Sequence, residues 1–167
     1  MITMYSLWNT LETMTLCLDK PNLILYNSGQ SNAPFFMLAT ILALTAMDYD
    51  HLARTIQVEA AKGTMDEYCV AVSVLNRVRS PKFANTVASV VYAPGQYEGF
   101  TKWRPVANPA LVNRLRSKEG QAKLLAAYNI IGDRTDFKGQ SQLRYRVASE
   151  DPMCDNKGNF YHYYWQS

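Results

Sequence analysis

Residues 52–63 read LARTIQVEAAKG, and residues 70–97 read VAVSVLNRVRSPKFANTVASVVYAPGQY. The first stretch has helical spacing. At about 100° per residue, Glu59 falls about 20° from Leu52 and about 60° from Ile56, on the stripe that should face the protein. No basic residue shares that face. A carboxylate is costly to take out of water unless it is paired or protonated. Partial burial raises a carboxyl pKa and keeps a proton available near neutral pH, as a general acid requires. The spacing also admits a plainer reading, a glutamate at the helix's C-terminal rim whose head group reaches water.

Downstream of this helix the pattern predicts more helices. Asp48 and Asp50 are candidate caps for the Glu59 helix, with Gly63 as its stop. Thr64 and Glu67 have capping-box spacing for a second helix that runs to Ser80-Pro81. Tyr68, Ala71, Val72, Leu75 and Val78 share its broad apolar face. Asn85 is a candidate cap for a short helix, TVASVVY, with Val87, Val90 and Val91 inward. Pro94-Gly95 then turns the chain into Gln96-Tyr97 and the GQYEGF loop. Asn108-Pro109 reads as an N-cap and first-turn proline. A further helix is expected over about 118–131, with Leu124, Leu125, Tyr128 and Ile131 on one stripe and Gly132 as its stop. After that the period changes to alternation in LRYRV (143–147), and FYHYYW (160–165) is aromatic and strand-like. Asp155-Asn156-Lys157-Gly158 supplies a turn, so a β-hairpin of these two segments is expected. The sum is an α+β domain, predominantly helical, with a small C-terminal β-hairpin or sheet.

Upstream, residues 1–49 are expected to form a leader apart from a domain at 50–167. The leader holds turn-forming residues around 27–34 and the apolar run FFMLATILALTAM at 35–47. That run is too short for a bilayer, which takes about 20 residues. It also lacks the basic flank and cleavage site of a signal peptide. A helix packed on the core is the expectation; a weak export or anchoring signal is the alternative.

The 167 residues suffice for one domain with a real core, and 48% hydrophobic with 19% charged is ordinary for a globular chain. The formal net charge is +3, with no run of Lys and Arg, which speaks against a nucleic-acid partner. A mild basic excess suits an anionic polymer such as bacterial cell wall. Three cysteines (Cys17, Cys69, Cys154) without a CxxC, and two distant histidines, argue against a disulfide framework and against a zinc site. Cys69 is expected to be a small buried residue.

Glu59, Asn76-Arg77, Phe83, the short helix at 86–92 and Gln96-Tyr97 together resemble the SleB-type cell wall hydrolases. These are the spore-cortex lytic enzymes and their bacterial and phage relatives. Gly132, LRYRV and GNFYHYYW are similar to the family's closing elements. Two departures stand out: EAAKG replaces the frequent EARGE, and LRYRV places two arginines in a strand that is usually apolar. The resemblance spans residues 50–165. It implies a lysozyme-like domain that cleaves peptidoglycan glycan strands between MurNAc and GlcNAc, with Glu59 catalytic. No cofactor and no metal is needed.

Protonating the glycosidic oxygen takes a carboxyl with a raised pKa. Ordinary glycosidases add a second carboxylate. Asp66 and Glu67 are explained by a helix first turn, which leaves Glu98 as the well-placed candidate. Lytic transglycosylases need one acid, because the 6-hydroxyl of MurNAc attacks the anomeric carbon and leaves a 1,6-anhydro end. A lone Glu59 favours this mechanism. A conventional muramidase using Glu98 is one alternative. A non-catalytic virion, tail or wall-binding component that keeps the fold is another.

Candidate substrate contacts are Gln96, Tyr97, Asn76, Arg77, Trp103, His162 and Tyr164. Sugar binding takes flat apolar faces and directional hydrogen bonds. For each aromatic alone core packing or strand pairing is the stronger claim, and for Arg77 a structural role is at least an equal one. The expected partner is the peptidoglycan glycan strand at the bacterial cell wall. Phage encoding, and virion or membrane association through the N-terminal segment, complete the expectation.

Overall fold

Asn108 accepts a hydrogen bond from the Ala110 N–H at 2.9 Å and Pro109 follows in the first turn, so helix α6 (Pro109–Arg116) starts where its caps dictate. The computed structural model describes residues 32–139 and 151–163. All of them fall within one unit, Ser31–Ser167. The remaining elements are α1 (Ala33–Leu42), α2 (Ala46–Glu59), α3 (Asp66–Arg79), α4 (Val87–Val91), α5 (Glu98–Trp103), α7 (Lys118–Ile131), β1 (Asp136–Lys138) and β2 (Phe160–His162). The domain is thus predominantly helical, with a small antiparallel sheet.

The apolar run is not one helix. Thr45 and Asp48 form a reciprocal capping box, Thr45 N donating to Asp48 Oδ2 at 2.9 Å and Asp48 N to Thr45 Oγ1 at 3.2 Å. The box breaks the run after Leu42, and α1 and α2 meet at 108°. Asp48 therefore serves at the third helical position and not as the cap, while Asp50 sits inside α2 and pairs with Arg54 at 3.5 Å. No single helix among the described residues is long and apolar enough to cross a membrane. Helix α1 buries Met37 and Ile41, one turn apart, and packs on α7.

Helix α3 is the centre of the domain. Residues 66–77 are all buried, and α2, α4 and α7 pack around it. Its start lies a residue later than the capping-box spacing suggests. Met65 is the cap, while Thr64 accepts from Asp66 N and Glu67 reaches back to Gly63 N at 3.1 Å. Ser80 turns to extended backbone before Pro81 and ends the helix. Thr86, not Asn85, caps α4, which buries Val87, Val90 and Val91. Leu124, Tyr128 and Ile131 of α7 face the core, Leu125 is half-buried, and Gly132 with φ of 59° closes the helix.

Strand β2 does pair antiparallel, but with β1: Asp136 lies opposite His162, Phe137 opposite Tyr161 and Lys138 opposite Phe160. The Asp155–Gly158 turn forms, with Gly158 N donating to Asp155 O, and it returns Phe160 beside Met153. The expected partner strand, 143–147, lies outside the described residues.

Cys69 and Cys154 form a disulfide across 85 residues, which corrects the expectation of a merely buried Cys69. Such a pairing has no spacing signature. The fold creates it by laying the segment before β2 against the first turns of α3.

Candidate active site

Helix α2 ends at Glu59, earlier than Gly63, because Ala60 takes extended backbone (φ −114°, ψ 152°). That early stop puts the Glu59 side chain at the rim of a groove of about 970 Å³. The end of α2 supplies Val58 and Glu59, and α3 supplies Arg77. Gly95 through Gly99 and Trp103 form a second wall, while Asp136, Phe137 and Asn159 close the third. Glu59 is half-buried, and among the described residues no cation pairs with its carboxylate. Burial pushes its carboxyl above the usual glutamate range.

Arg77 organises the floor. Its Nε donates to Thr135 O at 2.7 Å, Nη1 to Gln96 Oε1 at 2.6 Å, and Nη2 to Asp136 Oδ1 at 3.0 Å. The guanidinium also lies over the rings of Phe83 and Tyr97, 5.1 and 5.0 Å from their centroids. Each of its three nitrogens thus donates inside the protein, and it holds Gln96 and β1 in place. Gln96 is exposed, with its amide oxygen held by Arg77. Tyr97 is buried beneath the groove, and its hydroxyl is pushed up to about 12 by burial, with Arg77 pulling the other way.

Helix α5 has no counterpart in the sequence pattern, which suggests a loop at Glu98. Its seat depends on Gly99, where a Cβ would come within 3.2 Å of both Val58 and Trp103. The helix presents Glu98 and the two-thirds-exposed Trp103 to the groove.

Two candidate contacts stand elsewhere. Asn76 does not line the groove; it is buried, and its amide donates to Gly132 O and Arg134 O, both at 2.8 Å, fixing the turn between α7 and β1. His162 is buried in β2, also off the groove lining, and burial holds its imidazole below the usual histidine range. Tyr164 lies outside the described residues. Conversely, Asp136 lines the groove outside every motif, and Asn159 lines it from within GNFYHYYW without being a candidate site residue. Asp136 is occupied on both oxygens, by Arg77 and by the Thr135 hydroxyl at 2.6 Å. Among the described residues no three His, Cys, Asp or Glu side chains converge as a metal site.

A family of proteins described as Cell Wall Hydrolase matches residues 61–164. The chain belongs to the cell wall hydrolase family. The match takes in Arg77, Gln96, Tyr97, Asp136 and Asn159 and begins just after Glu59. As a member of the cell wall hydrolase family the protein is a peptidoglycan-degrading enzyme of the cell wall. Two solved structures are similar to it. The catalytic domain of the germination-specific lytic transglycosylase SleB from Bacillus anthracis is 18% identical, with a TM-score of 0.46 over 71% of this chain and 96% of that one. The catalytic domain of the Bacillus cereus SleB protein is 18% identical, with a TM-score of 0.48 over 81% and 98%. No curated protein matches.

Proposed function

We propose that this cell wall hydrolase cuts the MurNAc–GlcNAc bond of glycan strands as a lytic transglycosylase, with Glu59 as its sole acid and base. The observation that carries the reading is Glu59 itself, a half-buried carboxyl at the rim of the groove, with no cation paired to it among the described residues and its pKa raised by burial. As acid, Glu59 protonates the leaving oxygen. As base, it takes the proton of the MurNAc 6-hydroxyl while that oxygen attacks the anomeric carbon, which closes a 1,6-anhydro ring. Gln96 offers amide donors to the glycan, and Trp103 a flat apolar face.

A conventional muramidase is the second reading, favoured by Glu98 in the same groove. Asp136 suits a second catalytic role less well, because Arg77 and Thr135 hold both of its oxygens. A phage origin, with the protein virion-borne or acting at lysis, belongs to the same proposal, and detection in purified virions is its test. The catalytic assignment is tested by Glu59→Gln against wild type on purified cell walls. Loss of clearing supports it, and equal clearing refutes it.

A further inference from the structure

Asp66 is a fully buried carboxylate that the proposed chemistry does not use. Among the described residues it has no cation. It accepts instead from Asn159 N at 3.1 Å, Asn159 Nδ2 at 2.8 Å and the Tyr161 hydroxyl at 2.7 Å. The approach is close enough that a Cβ at Gly158 would stand 2.7 Å from Asp66 Oδ1, so only glycine fits there. Burying a carboxylate this way is costly, and donors on both oxygens are what make it tolerable.

The same Asn159 Nδ2 makes one further bond, to the main-chain carbonyl of Glu59 at 3.0 Å. Carbonyls in the last turn of a helix have no partner within the helix. Here the orphan that is satisfied belongs to the residue whose carboxyl stands in the groove. Fixing the peptide plane after Glu59 fixes the direction of its Cα–Cβ bond as α2 gives way to extended backbone at Ala60.

We propose that Asn159, locked by Asp66 and Tyr161, is a positioning residue that holds the Glu59 carboxyl at its half-buried place in the groove. The inference rests on the reading of Glu59 as the acid. It assigns Asn159 no contact with the reacting bond. The ionisable groups that share the groove with Glu59 are Arg77 from α3, Tyr97 and Glu98 at the start of α5, and Asp136 from β1. Among the described residues no hydrogen bond or ion pair joins any of them to Asp66 or Asn159.

The test compares wild type, Asn159→Ser, Tyr161→Phe and Glu59→Gln on purified peptidoglycan sacculi, with folding verified by circular dichroism. Serine keeps the backbone bond to Asp66 but is too short to reach the Glu59 carbonyl and Asp66 together. Asn159→Ser should lower the maximal rate about 10- to 100-fold, the scale of a slightly misplaced catalytic group, with half-saturation unchanged. Its basic limb should move to lower pH, because a Glu59 freed toward water gives up its proton sooner. Tyr161→Phe should shift both readouts the same way and by less. A loss of folded protein alone would scale the rate without moving the limb. Folded variants with a wild-type rate and limb overturn the proposal; if Asn159→Ser does not fold, Tyr161→Phe decides. Full activity of Glu59→Gln refutes the underlying reading. An inactive Glu59→Gln beside an unmoved limb in the strut variants refutes this inference alone.

Discussion

Replacing Arg77 by methionine keeps most of its apolar stem and removes the guanidinium that ties α3 to the groove. Three hydrogen bonds are lost, to Thr135 O, Gln96 Oε1 and Asp136 Oδ1. Only 6% of the Arg77 side chain is exposed, against 18% for Asp136, so the pair is largely shielded from water. Breaking a buried pair costs about 3–5 kcal/mol, mostly through the partner left charged and unpaired. Asp136 keeps some water and the Thr135 hydroxyl, which places the expected loss near the lower end, about 3 kcal/mol. For a domain of this size that lowers Tm by roughly 10 °C. Urea denaturation followed by circular dichroism measures it, and the double variant with Asp136→Asn isolates the pair. The two changes should couple by more than about 1 kcal/mol, since contacting residues are not additive. Arg77→Lys should recover less than half of the loss, because an ammonium cannot span three acceptors. A loss below about 1 kcal/mol, or strict additivity in the cycle, would refute the view that Arg77 holds the groove together.

Further outcomes follow from the same geometry. The Cys69–Cys154 bridge closes 85 residues, for which chain entropy gives about 4–5 kcal/mol, so Cys154→Ser or reduction should lower Tm by more than 10 °C in thermal scans. Because burial raises the folded-state pKa of Glu59 above its usual 4.5, its favourable share of stability is complete below pH 4.5 and is lost as pH rises through the folded value. Glu59→Gln should therefore melt higher than wild type at pH 7 and match it near pH 4; equal Tm values at both would contradict the burial. Trp103, two-thirds exposed on the groove, should give Trp103→Ala near-native Tm but a 3- to 10-fold, roughly 0.5–1.5 kcal/mol, weaker half-saturation on sacculi.

What the sequence showed were the local signals. Asn108-Pro109, Gly132 and the apolar stripes of α3, α4 and α7 are decided within one or two turns, and these elements appear where the pattern put them. Helix α5 escaped because six residues carry little periodicity and its seat depends on Gly99 meeting Val58, a contact between distant segments. The break at Thr45 was legible in principle, as Thr45 and Asp48 have the box spacing with Asp in place of Glu. In the site, Glu59 was visible as an acid on an apolar stripe, and Gln96-Tyr97 and Arg77 through the family pattern. Asp136 lies outside every motif, and Asn159 has a place in GNFYHYYW but no role assigned by it. Asn159 meets Glu59 across 100 residues, and only the folded chain brings its amide to that carbonyl. Asn76 shares the Asn-Arg pair with Arg77, yet one residue along a helix is a turn of about 100°, enough to aim its amide at the α7–β1 turn and away from the groove.

Mass spectrometry of the muropeptides released from purified sacculi by wild type and by Glu59→Gln tests the central claim most directly. The account predicts fragments ending in 1,6-anhydro-MurNAc from wild type and none from Glu59→Gln. Release of the same fragments by both proteins would contradict it.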